Sequence, residues 1–516
     1  MLKLMQHAQK RLGVLGFTIV ELIIVVAVIA ILAAITVVAF NGIQIRAAKA
    51  LLQSDARNMV SQLENYQTDN SAYPSAMTNL PNGGKLSQGT TIEYTNTNPG
   101  YCFTVTLQAA KTSYFAVNNS RIVTEGVCPG HTGYVVAVSQ GPWTDISIGG
   151  NSTCGIANGK AYCWGDPFYG ALGRGDRTTA SLVPVPVLED TGILAGKTVT
   201  DISTSDTYAC AIADGQAYCW GSNSSGELGN NSTTLSSRPV AVNTAGVLNG
   251  LTLTKIAVFS DQTCVLATNG RAYCWGANTD GRLGNNSTVT SLVPVAVTWT
   301  GALNGLTATD INGSCVIAAG NPYCWGTNAN GQLGNGTVVT PSLVPTPVTT
   351  GGNLAAGASN LLGDRGILYQ CVLTASGPKC WGANTYGRVG NGTTVNSNVT
   401  TPISVVAGAI PSLSGFTAIT SGINHVCVAK SDTAYCWGLG SNGEMGNGLT
   451  TLSNGSPVTV TNTLFTGRNI TVIDAGFNSS CLIASGNLYC FGQNTSGRLG
   501  DGTTTNRLTP VLIPLP

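Results

Sequence analysis

Sixteen cysteines are the residues of this 516-residue chain best spaced for chemistry, and fourteen of them fall into seven pairs. These are Cys154/Cys163, Cys210/Cys219, Cys264/Cys274, Cys315/Cys324, Cys371/Cys380, Cys427/Cys436 and Cys481/Cys490. Paired thiols serve zinc or disulfides. A zinc site needs close C-x-x-C spacing or companion histidines, whereas these partners lie nine or ten residues apart and the whole chain has three histidines, His7, His131 and His425. Disulfides fit the local sequence. Asn158-Gly159 is a two-residue hairpin signal, and counting outward from it sets Cys154 opposite Cys163. Opposed residues in a non-hydrogen-bonded pair have Cα atoms about 4.5 Å apart, the short end of the disulfide range. Asp214-Gly215 gives the same register for Cys210 and Cys219, and the longer Thr268-Asn269-Gly270 turn matches the wider Cys264/Cys274 spacing. Cys102 and Cys128 remain, and the simplest pairing joins them. A framework of this kind persists only in an oxidising compartment.

No Ser/His/Asp set and no carboxylate pair stands out, so no catalytic residue, metal or cofactor is expected, and the chain reads as a non-enzyme. Charged residues are only 9% of the chain. Taking away Lys3, Lys10 and Arg11 leaves 21 cations against 23 acids, a net charge of −2. Such a surface has no grip on a polyanion, which excludes nucleic acid as a partner.

Residues 17–40, FTIVELIIVVAVIAILAAITVVAF, form an almost unbroken apolar run. As a helix it would be about 36 Å long, enough to span a bilayer. Glu21 interrupts it near one end, where an unpaired carboxylate is expensive. Gly16-Phe17-Thr18-Ile19-Val20-Glu21 resembles the processing signature of type IV prepilins. The resemblance implies cleavage after Gly16 by a prepilin peptidase/methylase, methylation of Phe17, and pairing of Glu21 with the amino terminus of another pilin subunit. It also implies residence in the inner (cytoplasmic) membrane before assembly and at the cell surface or pilus afterwards. Apolar residues then recur in steps of three and four from Ile45 to Tyr66, predicting a helix that continues to about residue 70. Strands are expected at Thr91–Thr95, Tyr101–Leu107 and Ser113–Val117, a small antiparallel sheet packed on that helix, as in pilins and pseudopilins.

From residue 141 the chain repeats. Each second cysteine opens Cys-Trp-Gly (Cys490-Phe491-Gly492 in the last copy), followed by a version of N-x-x-G-x-L-G-N and a valine-proline segment. Strand-rich repeats of this length make propellers or solenoids. The seven copies resemble the repeats of the regulator of chromosome condensation family, which implies a seven-bladed β-propeller. The expected fold is therefore mainly β: a 1–16 leader, a long pilin-like helix over 17–70, a small α+β domain over 71–140, and a propeller over 141–516. Ring closure is expected to join Thr509–Leu515 to Trp143–Ile148, with the Trp of each Cys-Trp-Gly packed between blades. An exported minor pilin carrying a propeller head for adhesion follows, its ligand an extracellular protein or glycan. Alternatives are a pseudopilin-like part of a type II secretion apparatus and a surface inhibitor or hydrolase. Positions that break the repeat pattern are the candidate binding residues: Phe168, Tyr169, Trp299, Arg365 and Tyr369.

Overall fold

The computed structural model describes residues 51–80 except 53, then 86–87, 90–96, 101–107, 112–117 and 124–125, and 143–515 apart from 189–191, 340, 350–359, 362–367 and 462. The chain divides into two compact units, Met1–Val138 and Ser139–Pro516.

In the first unit, Leu52, Ala56, Met59, Val60 and Leu63 line one face of a helix over residues 51–70 and are buried. Their three- and four-residue steps bring them against Tyr101, Phe103, Val105 and Leu107 of the sheet. That sheet runs β1 (Thr90–Asn96), β2 (Tyr101–Leu107), β3 (Thr112–Val117) and β4 (Thr124–Glu125), each antiparallel to the next. Of the long helix expected from residue 17, the described residues contain only this terminal stretch. No described helix is long and apolar enough to cross a membrane. Gly16, Phe17, Glu21 and the 17–40 run lie outside the described residues, as do the side chains of Cys102 and Cys128.

The second unit is a propeller of seven four-stranded blades whose first strands begin at Trp143, Val199, Leu253, Ala308, Asn360, Ala418 and Ile470. Blade 2 shows the plan: Val199–Thr204 lies on the axis, then Tyr208–Ala213 and Gln216–Gly221 form the central hairpin, and Ser236–Ala241 is outermost. Each valine-proline segment is an outermost strand, with its proline (Pro184, Pro239, Pro294, Pro345, Pro402, Pro457 or Pro510) mid-strand. Proline offers no N–H, so it blunts an edge that would otherwise template aggregation.

All seven repeat pairs are disulfides, each across its blade's central hairpin: Cys154–Cys163, Cys210–Cys219, Cys264–Cys274, Cys315–Cys324, Cys371–Cys380, Cys427–Cys436 and Cys481–Cys490. Their Cα atoms are 4.0–4.1 Å apart, somewhat closer than the spacing expected from strand register alone. Asn158 and Gly159 both adopt positive φ, 54° and 71°, the conformation an Asn-Gly hairpin turn demands. The hairpin register counted from the turn runs unbroken past the second cysteine, from Ala157↔Lys160 to Ser152↔Gly165 in blade 1, and the irregularity falls instead in the pairing of the third strand with the outermost one. A bulge falls between Cys274 and Gly276 in blade 3 and between Cys436 and Gly438 in blade 6, where the glycines take φ 100° and 105°. The other five blades slip at the equivalent point.

Cores form between blades: Cys154, Ile156, Leu172 and Val187 of blade 1 meet Ile202, Ala211 and Trp220 of blade 2. Cys274 packs in the same way in the core that holds Trp325, and Cys436 in the core that holds Phe491. Both are fully buried. The repeat cysteines are therefore staples inside the blades, with no sulfur presented to a ligand.

Ring closure differs from expectation. The terminal strand Arg507–Ile513 pairs with Asn487–Gly492 inside blade 7, and Trp143–Ile148 pairs with Ser152–Ala157 inside blade 1. Among the described residues no strand is shared across the seam. Every repeat supplies its own complete blade, so the ring closes by the same interblade contacts that join the other six.

Candidate functional site on the loop face

The loop between third and fourth strands is long in every blade, and in five of the seven (blades 2, 3, 4, 5 and 7) it is organised from within by a buried asparagine. In blade 2 the Asn223 side-chain amide donates to Asn230 Oδ1, the Ser232 carbonyl and the Thr234 carbonyl at 2.9–3.3 Å, and its Oδ1 accepts the Leu228 N–H at 2.9 Å. Asn278, Asn328, Asn384 and Asn494 repeat this frame. The loop is bolted to the next blade by the Cys-Trp-Gly tryptophan. Trp220, Trp275, Trp325, Trp381 and Trp437 donate Nε1–H to carbonyls of Ala171, Glu227, Arg282, Gln332 and Arg388 in the preceding blade, at 2.7–3.0 Å. These loops leave the same end of every blade, so they form one face of the ring. Their tips project apolar groups into water, among them Val289, Val339, Val395 and Leu452.

Blades 1 and 6 lack the framing asparagine, with Pro167 and Gly440 in its place, and blades 1 and 5 carry a left-handed tyrosine two residues further on. In blade 1, Pro167 replaces the framing asparagine and is followed by Phe168 and Tyr169, whose rings meet edge to face at 4.9 Å and remain 62% and 42% exposed. Tyr169 takes φ 58°, ψ 1°. In blade 5, Tyr386 occupies the same place with φ 63°, ψ 11° and is 37% exposed. Ser225, Asp280, Asn330, Asn442 and Ser496, the equivalents elsewhere, keep negative φ. A left-handed tyrosine costs roughly 1–2 kcal/mol, and an exposed ring recovers little of that through burial. The strain is held by the next residue. An added Cβ at Gly170 would meet the Ser237 backbone at 2.5 Å, and one at Gly387 the Gly455 backbone at 2.6 Å; Gly226, Gly281, Gly331, Gly443 and Gly497 sit as close to the following blade's outermost strand, so this clamp is common to all seven loops and the left-handed tyrosine is peculiar to two.

The other sequence candidates fall elsewhere. Trp299 is only 8% exposed and donates Nε1–H to the Leu306 carbonyl at 2.9 Å, packing between blades 3 and 4 beside Leu303. Tyr369 is fully buried, its hydroxyl shared between the carbonyls of Gly422 (2.8 Å) and His425 (3.0 Å) under the Arg388 guanidinium. Both are packing residues, because an aromatic that breaks a repeat can equally fill an irregular seam. Arg365 lies outside the described residues. Tyr386 was missed, although its position six residues after Cys380 matches that of Tyr169 after Cys163.

Sequence comparison matches the regulator of chromosome condensation (RCC1) repeat at 158–212, 214–266, 269–311, 319–356, 380–429 and 485–516, more than half of the chain. This chain belongs to the RCC1-repeat family. It is 28% identical to the human E3 ubiquitin-protein ligase HERC2 over 72% of its own length and 7% of HERC2. It is 25% identical to the Arabidopsis thaliana ultraviolet-B receptor UVR8 over 56% of its length and 63% of that receptor. The chain thus spans less than two thirds of either relative. In fold, the RCC1-repeat propeller is similar to yeast RCC1 (Prp20) bound to Kap60, with TM-score 0.58 and 18% identity over 72% of this chain and 84% of that one.

The axis of this RCC1-repeat propeller holds a cavity of about 200 Å³ lined by the first strands, with Asp145, Asp201 and Asp474 on its wall. Neighbouring first strands form no ladder with one another, so side chains take up their N–H groups. Asp201 accepts from Ile256 N–H at 2.6 Å, Ser203 from Val258 at 2.9 Å, Ser147 from Thr204 at 3.0 Å, and Asp474 from Ile148 at 2.7 Å. Lys255 stands where blades 1 and 2 have Asp145 and Asp201, and reaches Asp310 Oδ1 at 2.5 Å. Desolvation raises Asp145 well above the usual carboxylate range, with the Asp201 charge adding to it. Desolvation likewise pushes Asp201 up to about 7, and Asp145 hydrogen-bonds to it. Each carboxyl therefore holds its proton to higher pH than a solvated one. Because these carboxylates hold backbone N–H groups, their role is to knit the ring. His425 is similarly structural: fully buried with Nε2 2.8 Å from Ser480 Oγ, it is pushed down to about 4 by desolvation. Among the described residues, no three His, Cys, Asp or Glu side chains are grouped to hold a metal ion.

Proposed function

We propose that this chain is an exported pilin-like surface protein in which the prepilin-type amino terminus enters a filament and the RCC1-repeat propeller is displayed as a binding head for adhesion or surface recognition. One observation carries the reading: a fully buried disulfide in each of seven blades, a framework that requires an oxidising environment. The prepilin-like sequence at Gly16 to Glu21 supplies a route there. A propeller of about 375 residues is awkward on every subunit of a dense fibre, which favours placement at a tip or as a minor subunit. Binding is assigned to the loop face around Phe168 and Tyr169. The yeast Prp20 propeller has binding properties toward Gsp1p and histones, so a propeller of this fold serves as a recognition platform there, and here the partner is taken to be extracellular. A pseudopilin-like role in a secretion apparatus is the second reading, favoured by the same amino terminus if the propeller faces the envelope.

The test is adhesion of cells carrying Phe168→Ala/Tyr169→Ala. Both side chains are exposed, so the fold is retained while adhesion to host or biofilm surfaces falls. Undiminished adhesion with the variant at full surface level contradicts the assignment to this face.

A further inference from the structure

Resting on the binding-head reading, we infer that the loop face carries two aromatic subsites at the same loop position, Tyr386 in blade 5, in surroundings free of exposed charge, and Tyr169 with Phe168 in blade 1, where Arg174 is paired with Asp176 at 3.0 Å, and that their ligand is an uncharged polysaccharide. Tyr169 and Tyr386 are the only tyrosines among the described residues with positive φ, and they fall at the same point of the same loop. The glycine clamp is shared by all seven loops, but only these two place a strained and exposed aromatic residue before it, which marks a position kept for what the ring meets. The two rings leave the same face of one rigid ring, which suits a ligand that repeats along its length and engages both sites at once.

The surroundings of Tyr386 set the ligand class. From Ala383 to Thr400 the only charged residue is Arg388. It is buried, spending its guanidinium on the carbonyls of Ala383 and Ile423 at 2.9 and 2.8 Å and on Asn424 Oδ1 at 3.1 Å. What remains exposed is a phenol flanked by hydroxyls and amides. Thr385 Oγ1 donates to Asn396 Oδ1 at 2.9 Å, and the Asn384 amide holds the Val395 carbonyl at 3.2 Å, so these groups are preset in position. A tyrosine ring offers a flat apolar face and a polar tip at low entropic cost. A pyranose has the complementary form, C–H groups on one face and hydroxyls at its rim. An anionic glycan or a charged peptide would find no counter-charge at blade 5.

The test uses the full chain in detergent, retained on dextran, mannan or chitin beads, with Tyr169→Gly, Tyr386→Gly and the double variant. Glycine accepts the left-handed turn without strain, so each variant unfolds at the same temperature as the parent or higher. Retention of the parent on at least one neutral polysaccharide, lowered about tenfold by each single change and further by the double, is the expected result. A parent held by none of the three, or held only by a protein surface stripped of glycan, overturns the inference while leaving a loop-face binding head intact. Variants that melt lower than the parent also overturn it, since the tyrosines would then be packing groups. Polysaccharide retention in cells that fail to adhere upholds the inference and counts against the adhesion reading alone.

Discussion

Trp164 in the first blade donates its indole N–H to the carbonyl of Arg498 in the seventh at 2.9 Å, and this bond closes the ring. Thr153 Oγ1 donates to the same carbonyl at 2.8 Å, while the Arg498 guanidinium turns back to blade 1 and reaches the Gly150 carbonyl and Asn151 Oδ1. Closure is thus a sixth copy of the tryptophan-to-carbonyl joint that Trp220, Trp275, Trp325, Trp381 and Trp437 make elsewhere in the ring. Arg498→Ala removes the guanidinium's hydrogen bonds at a buried seam and should lower stability by about 2–4 kcal/mol. Limited proteolysis should then cut first between blades 7 and 1; a variant as resistant as the parent would show the seam to be held elsewhere.

The blade 6–7 joint lacks this bond, because Phe491 stands in place of tryptophan, and the Glu444 carbonyl accepts instead from Ser480 Oγ at 3.5 Å. Phe491→Trp should supply the missing donor and stabilise the protein by about 1 kcal/mol. Denaturant unfolding reads the change, and destabilisation would mean the site is too tight for an indole beside Gly446.

Trp299 and Phe168 separate packing from recognition. Trp299→Ala opens a cavity between blades 3 and 4 and loses a hydrogen bond, so a cost of about 3–4 kcal/mol is expected. Phe168→Ala should fall within about 0.5 kcal/mol of the parent. Equal melting temperatures for the two variants would contradict the burial described for Trp299.

Stability should depend on pH in two opposed ways. Asp201 is raised in the folded state, so its contribution is present below the unfolded value near 4 and is lost as pH climbs through about 7. His425 is depressed, so its contribution is present above about 6.5 and is lost as pH falls toward about 4. Asp145→Asn removes one of the coupled charges and should raise the melting temperature at pH 8 more than at pH 5. A parallel offset at both pH values would show that the axial pair does not titrate in this window.

What the sequence revealed, and what it hid, follows from how locally each feature is determined. The disulfides were legible because an Asn-Gly or Asp-Gly turn sets hairpin register within ten residues. The bulges after Cys274 and Cys436 were not, because they depend on pairing with an outermost strand some fifteen or more residues away. The interblade tryptophans were legible because they recur with the repeat. Closure was misread because the repeat period says how many blades there are and leaves open where in the period a blade begins; the propeller starts on an axial strand and ends on an outermost one. Trp299 and Tyr369 were misassigned because burial at an irregular seam and exposure at a loop tip look alike in one dimension. Tyr386 was overlooked because its neighbour is Thr385, where Tyr169 has the conspicuous Phe168. Its shared backbone strain appears only in three dimensions.

Processing gives a separate handle on the amino terminus. Gly16→Arg should leave an uncleaved precursor, and Glu21→Val should be cut yet fail to assemble. Mass spectrometry of the mature protein should find Phe17 first and N-methylated; any other terminus removes the prepilin assignment.

The most direct measurement is immunogold labelling of intact cells with an antibody against the propeller, comparing the parent with Gly16→Arg. The account predicts gold on surface filaments, at their tips or sparsely along the shaft, in the parent and none in the variant. Gold confined to the envelope or cytoplasm of the parent, or surface label unchanged by Gly16→Arg, would contradict it.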